Sequence, residues 1–86
     1  MQFLGALIRE QGQVFGVIAV QPHILGNLIE ANRLIATASR TVFPGHPVAL
    51  MAQRSGRHHF YGRRDISRFL ASLDVSRIPW RRWNIN

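Results

Sequence analysis

A nearly continuous apolar run at residues 14–20 (VFGVIAV) constrains the fold of this 86-residue chain more than any other feature. A strand with water on one face alternates apolar and polar residues, whereas a strand buried on both faces is apolar throughout. The run is too short for a membrane-spanning helix, which needs about 20 apolar residues. We therefore expect residues 14–20 to form a central strand that is buried on both faces.

The segment before this run predicts a hairpin partner for it. Residues 3–9 (FLGALIR) form another short apolar stretch, and the polar, glycine-containing tetrapeptide 10–13 (EQGQ) joins the two. Two β-rich runs around such a connection are typical of a β-hairpin. The alternative is an N-terminal helix over residues 2–10, because short apolar runs do not by themselves distinguish a strand from a helix.

The most regular helical pattern follows this hairpin. Pro22 ends the preceding strand, and apolar residues then recur on one helical stripe at Ile24, Leu28, Ala31, Ile35, Ala38 and Val42. Asn27, followed three residues later by Glu30, resembles a capping box, so we expect the regular helix to begin near Asn27. It should end before residues 43–47 (FPGHP), where two prolines and a glycine force a turn.

The second half of the chain repeats this order of hairpin and helix. Residues 48–61 are expected to form a hairpin that turns at residues 54–57. A second helix then buries a stripe at spacings i, i+3, i+4 and i+7, formed by Ile66, Phe69, Leu70 and Leu73. Residues 76–86 are interpreted as a basic, Trp-containing edge strand or tail, because Pro79 disfavours a long helix there.

These elements predict a single α+β domain over residues 1–75, followed by the C-terminal segment 76–86. The order ββαββα predicts a four-stranded antiparallel sheet with two helices on one face. A ferredoxin-like βαββαβ arrangement, with the C-terminal segment as the last strand, is the alternative. With both helices on one face, the other apolar face of residues 14–20 lies uncovered, and such a face usually marks an interface. We therefore expect a homodimer, joined sheet to sheet or edge to edge.

The charge of the chain is positive and unevenly distributed. Eleven arginines, no lysine and four carboxylates give +7, and residues 54–86, with eight arginines and two aspartates, carry +6 of it. Arginines interleaved with aromatic residues suit a phosphate-binding surface, because the cations neutralise phosphates and the rings stack on unpaired bases. The candidate nucleic-acid-binding residues are Arg54, Arg57, His59, Tyr61, Arg63, Arg64, Arg81, Arg82 and Trp83.

Other interpretations of this charge compete with nucleic-acid binding. Arginine in place of lysine is typical of a GC-rich genome, and a positive surface keeps a small protein in solution without any ligand. No helix-turn-helix, RNP signature, GXXG loop or zinc finger accompanies the charge. We therefore predict sequence-tolerant binding of RNA or DNA. The alternative function is a homodimeric interaction module that docks a protein partner on an exposed apolar sheet face or on its aromatic C-terminal segment, since Trp and Arg are common hot-spot residues.

Sequence patterns of catalysis and metal binding are scarce. The absence of cysteine excludes disulfides, Cys-ligated zinc and cysteine nucleophiles, and no P-loop, GxGxxG, HExxH or GxSxG motif is present. His58 and His59 are adjacent, so on a strand they face opposite sides and do not easily share one ion. We therefore expect a non-enzymatic protein with no catalytic residue, metal or cofactor.

The enzymatic alternative is a metal-independent ribonuclease of the small-toxin type. Such an enzyme needs a general base, a general acid and a cation beside the scissile phosphate. One hairpin and its exit supply these residue types: His58 or His59, Tyr61, and Arg63 or Arg64.

Signals for export or membrane attachment are weak in this sequence. The N-terminal segment has no basic n-region and no small-residue cleavage site. The tetrapeptide 80–83 (WRRW) resembles an interfacial anchor, but without a long amphipathic helix its affinity for a membrane is marginal. We therefore expect a cytoplasmic protein with no membrane partner.

Overall fold

The computed structural model describes residues 2–10 and 12–84, and within them the chain forms one mixed five-stranded sheet with helices on both faces. The strands are β1 (Gln2–Glu10), β2 (Gln13–Ala19), β3 (Val48–Arg54), β4 (Arg57–Tyr61) and β5 (Arg81–Asn84). The helices are α1 (Pro22–Leu25), α2 (Leu28–Thr41) and α3 (Arg64–Ser72), and a 3-10 helix spans Val75–Arg77. The strands are ordered β4-β3-β2-β1-β5 across the sheet.

The predicted central strand is confirmed. β2 pairs with β1 on one side and with β3 on the other, and Phe15, Val17 and Ile18 are buried along it. β1 is a strand throughout, so the alternative of an N-terminal helix over residues 2–10 is wrong. The hairpin turn between β1 and β2 contains Gly12, whose φ of 78° lies in the left-handed region that glycine adopts without strain.

Side chains of β2 alternate between two separate cores, one on each face of the sheet. On what we call the α2 face, Ile18 and Leu50 pack with Ala31 of helix α2. On the opposite face, the α3 face, Val17 packs with Ile66 of helix α3. Because successive strand residues point to opposite faces, an all-apolar strand requires cover on both, and the two helices provide it.

The α+β class is confirmed, but the arrangement of the elements differs from the one expected. The sheet has five strands and not four, because residues 81–84 pair antiparallel with the outer edge of β1. It is mixed and not antiparallel, because α1 and α2 return the chain to the end at which β2 began, and β3 therefore runs parallel to β2. The prediction of both helices on one face is wrong, since α3 packs on the face opposite α2. The βαββαβ alternative is also wrong, because the chain begins with a β-hairpin.

Cover on both faces removes the reason for predicting a homodimer. That prediction needed an uncovered apolar sheet face, whereas Ile66, Leu70 and Ile78 are buried over the α3 face. The dimer itself stays a prediction.

The connection from β2 to β3 places two short segments beside each other at one end of the sheet. Helix α1 begins with Pro22, separated from the end of β2 by Val20 and Gln21, and Gly26 caps its C-terminus. Asn27 then caps α2 by accepting a hydrogen bond from the Glu30 amide at 3.3 Å, as the capping pattern predicts. Because β2 and β3 are parallel, their carboxyl ends lie at the same end of the sheet, so α1, which follows β2, lies close to the turn that follows β3.

Candidate nucleic-acid interface

The nine residues predicted to bind nucleic acid lie at four places in the fold. The end of the β3–β4 hairpin carries Arg54, Arg57 and His59, and Tyr61 is the last residue of β4. The start of α3 carries Arg63 and Arg64, and β5 carries Arg81, Arg82 and Trp83. β4 and β5 are the opposite edges of the sheet, so four spacings of about 4.8 Å place them roughly 19 Å apart. The residues therefore do not form one continuous surface.

The most concentrated group is at the hairpin end, and we call Arg54, Arg57 and His59 the hairpin triad. Arg54 lies directly opposite Arg57 in the β3–β4 register, and Ala52 lies opposite His59. Paired residues point to the same face, and side chains alternate along each strand. Tyr61, two residues after His59, packs into the core of the α2 face, so the triad belongs to the α2 face as well.

The turn itself fixes this geometry. Ser55 and Gly56 have φ values of 53° and 74°, the left-handed conformations that a two-residue type I′ hairpin turn requires. Such a turn sets the strand register, so it holds the Cα atoms of Arg54 and Arg57 opposite each other. The two guanidinium groups are therefore brought to one face before any ligand binds.

The hairpin triad forms no ion pair with a carboxylate of residues 2–10 and 12–84. The chain has no Asp or Glu between Glu30 and Asp65. Glu30 Oε1 lies 3.6 Å from Arg33 Nη1, and Asp65 Oδ1 lies 2.8 Å from Arg63 Nε, so each of these carboxylates has an arginine partner of its own. Like charges directly opposite each other on two strands destabilise the pair, and a bound anion would remove that repulsion.

A cavity of about 180 Å³ opens beside the triad. Its walls come from α1 with its cap and from the hairpin end, and consist of Pro22, Leu25, Gly26, Ala52, Arg54 and His59. The cavity therefore combines an apolar floor with one guanidinium and one imidazole. It lies at the carboxyl ends of the parallel strands, where ligands of open sheets with parallel strands commonly bind.

The arginines at the start of α3 differ in how they are engaged. Arg63 donates two hydrogen bonds to Asp65, Nε to Oδ1 at 2.8 Å and Nη2 to Oδ2 at 2.9 Å. The hydrogen bond from Arg63 lowers the pKa of Asp65 to about 2, assisted by the hydrogen bond from the Ile66 amide. Both arginines are exposed, but Arg63 is paired with a carboxylate, whereas Arg64, on the first turn of α3, forms no ion pair within the described residues.

This ion pair predicts a specific pH dependence of stability. Because folding lowers the pKa of Asp65 from 3.8 to about 2, its stabilising effect is present above about pH 4 and is lost as the pH falls through about 2. Asp65→Asn should therefore lower the melting temperature at about pH 6, and most of the difference from the unmodified protein should be lost at about pH 2, where half of the Asp65 carboxyl groups in the folded protein are protonated. Thermal unfolding at both pH values, with Glu10→Gln as a control for the removed charge, measures this effect. A difference of the same size at both pH values would contradict it.

The two aromatic candidates, Trp83 and Tyr61, already pack and hydrogen-bond within the protein. The Trp83 ring packs against Phe43 with centroids 4.9 Å apart, and its Nε1 donates to the Gly5 carbonyl at 3.0 Å. The Arg81 guanidinium lies 5.6 Å from the centroid of the same ring. Tyr61 donates its hydroxyl to Asn32 Oδ1 at 2.9 Å. Both rings are half-buried and support the core of the α2 face.

The ribonuclease candidates are divided between the two faces of the sheet. His59 and Tyr61 belong to the α2 face, whereas His58 alternates to the α3 face with Phe60. Within residues 2–10 and 12–84, no group of three or more His, Asp or Glu side chains is placed to hold a metal ion.

Comparisons with known proteins found no match for this chain. No family model, no curated protein and no solved structure matches the chain. In the part of the chain that the structure describes, no helix has the length and apolar character needed to cross a membrane. The function proposed below is therefore inferred from the geometry and charge of the hairpin triad.

Proposed function

We propose that this protein binds nucleic acid without strong sequence preference, through the hairpin triad. The observation that carries the proposal is the Arg54–Arg57 pair, two cations held opposite each other on one face, neither of which forms an ion pair with a carboxylate of the described residues. A phosphate between two guanidinium groups accepts charge-assisted hydrogen bonds from both. Binding a phosphate thus relieves a repulsion that the free protein tolerates.

The overall charge supports a polymeric anion as the ligand. A formal charge of +7 on 86 residues attracts a polyanion over long range, and release of its counterions adds affinity. Arg81 and Arg82, roughly 19 Å from β4, contribute to this field without sharing the phosphate held by the triad. Hydrogen bonds to phosphate position a strand but carry no base information, so the binding should tolerate sequence changes.

Removal of the pair tests the proposal. Arg54→Ala/Arg57→Ala should weaken binding of a mixed-sequence oligonucleotide by about 10- to 100-fold, because the phosphate no longer accepts charge-assisted hydrogen bonds from two guanidinium groups. Arg40→Ala/Arg77→Ala is the matched control, since it removes the same charge from exposed positions outside the hairpin. Fluorescence anisotropy at about 50 mM salt measures both, and the control should weaken binding only about twofold.

Two results would contradict the proposal. Equal reductions of affinity in the two double variants would show that diffuse charge, and not the hairpin triad, binds the strand. Absence of binding by the unmodified protein at low salt would remove nucleic acid as the ligand.

A further inference from the structure

The cavity beside the hairpin triad gives the proposed interface a way to distinguish single strands from duplexes. We infer that it receives one unpaired base, while the adjacent phosphate lies on Arg54 and Arg57. This inference rests on the proposed function, and it adds a ligand class to it: single-stranded RNA or DNA.

The lining of the cavity suits a planar heteroaromatic ring. Pro22, Leu25 and Ala52 supply apolar surface, against which the face of a base packs. Arg54 and His59 supply a guanidinium plane and an imidazole, both of which stack on bases or hydrogen-bond to their edges. Arg54 lines the cavity and also belongs to the pair with Arg57, so the base and its phosphate would be bound next to each other.

The size of the cavity matches one ring system. Its volume of about 180 Å³ is comparable to the roughly 150 Å³ of engineered protein cavities that hold benzene. A base pair does not fit in such a volume. A base in a duplex would have to leave its stack to enter, whereas a base in a flexible single strand is already accessible.

Gly26 offers a way to fill the cavity without changing any charge. It lines the cavity and has a φ of −82°, so a side chain is allowed there. A Cβ added at Gly26 meets only the His23 carbonyl oxygen, at 3.4 Å, which is an ordinary contact. Gly26→Leu should therefore occupy the cavity while the protein stays folded.

The experiment compares affinities for a single strand and for a duplex of the same sequence at about 50 mM salt. The unmodified protein should bind the single strand about 10-fold more tightly, since stacking one base contributes on that order. Gly26→Leu should remove most of this preference and leave the duplex affinity unchanged. Ala36→Leu, which adds bulk at an exposed position of α2 that does not line the cavity, should keep the preference.

A second variant tests the inference even if Gly26→Leu fails to fold. His59 is exposed on β4, so His59→Ala should fold, and it should weaken single-strand binding more than duplex binding. Equal affinities for both nucleic acids, or a preference that survives Gly26→Leu, would overturn the inference while phosphate binding at Arg54 and Arg57 remains. Absence of binding to either nucleic acid would instead contradict the proposed function, and the role of the cavity with it.

Discussion

Gly16→Ala should destabilise this protein by about 3 kcal/mol, although it adds only one methyl group. A Cβ at Gly16 would lie 2.8 Å from Cε2 and from Cγ of Phe43, and closer still to Cδ2. The ring has no room to move, because Phe43 is only 2% exposed and also packs against Trp83. The backbone is restrained too, since the Gly16 amide donates to the Pro47 carbonyl at 2.9 Å.

A double-mutant cycle in denaturant unfolding isolates the packing of Gly16 against Phe43. Phe43→Ala alone should cost about 4 kcal/mol by leaving a cavity, and in the double variant the new methyl group fills part of that cavity. The destabilisation of the double variant should therefore be smaller than the sum for the two single variants by about 1 kcal/mol or more. Gly26→Ala is the matched control, because a methyl group there makes only ordinary van der Waals contact and should change stability little. Equal stabilities of Gly16→Ala and Gly26→Ala would contradict the packing described here.

Trp83→Ala should lower stability by about 2 kcal/mol and leave affinity for an oligonucleotide unchanged. The sequence predicts a ring that stacks on bases, but in the structure the ring packs against Phe43 and donates to the Gly5 carbonyl. These two interactions hold β5 against the edge of β1. Removal of the side chain should therefore loosen β5 and leave the hairpin triad, at the opposite edge of the sheet, intact.

Unfolding and binding measured on the same preparations test this separation. Trp83→Phe should recover part of the stability, since it keeps a ring against Phe43 but lacks the hydrogen bond from Nε1. Arg82→Ala, next to it in β5 and exposed, should change stability little. A tenfold reduction of affinity at unchanged stability would contradict the structural role and restore Trp83 as a stacking residue.

The sequence predicts the helices and strands better than it predicts the face or edge of the sheet against which each one packs. The apolar run at residues 14–20 is buried on both faces, and Asn27 caps α2, because both are local patterns. The stripe of Ile66 and Leu70 indicates that α3 is buried, but helical periodicity does not say against which face of a sheet. β5 is a strand of only four residues after Pro79, and its pairing depends on an edge of β1 that lies far away in sequence.

The candidate site shows the same limit. Density of charge along the chain does not measure proximity, so it groups Arg57 with Arg82 although their strands are opposite edges of the sheet. The charge pattern also gives no sign of the cavity, because Pro22, Leu25 and Gly26 are uncharged and lie about 30 residues before the hairpin turn. A parallel pairing of β2 and β3 is the signal that points to it, since parallel strands bring their carboxyl ends, and the segments that follow them, together.

The salt dependence of oligonucleotide affinity tests the central claim most directly. The logarithm of the binding constant should fall linearly with the logarithm of salt concentration between about 50 and 200 mM, because phosphate binding releases counterions. Arg54→Ala/Arg57→Ala should reduce the steepness of this line by about 0.7 for a single strand, because the two arginines together bind one phosphate. An affinity independent of salt, or a slope that the double substitution leaves unchanged, would contradict phosphate binding at the hairpin triad.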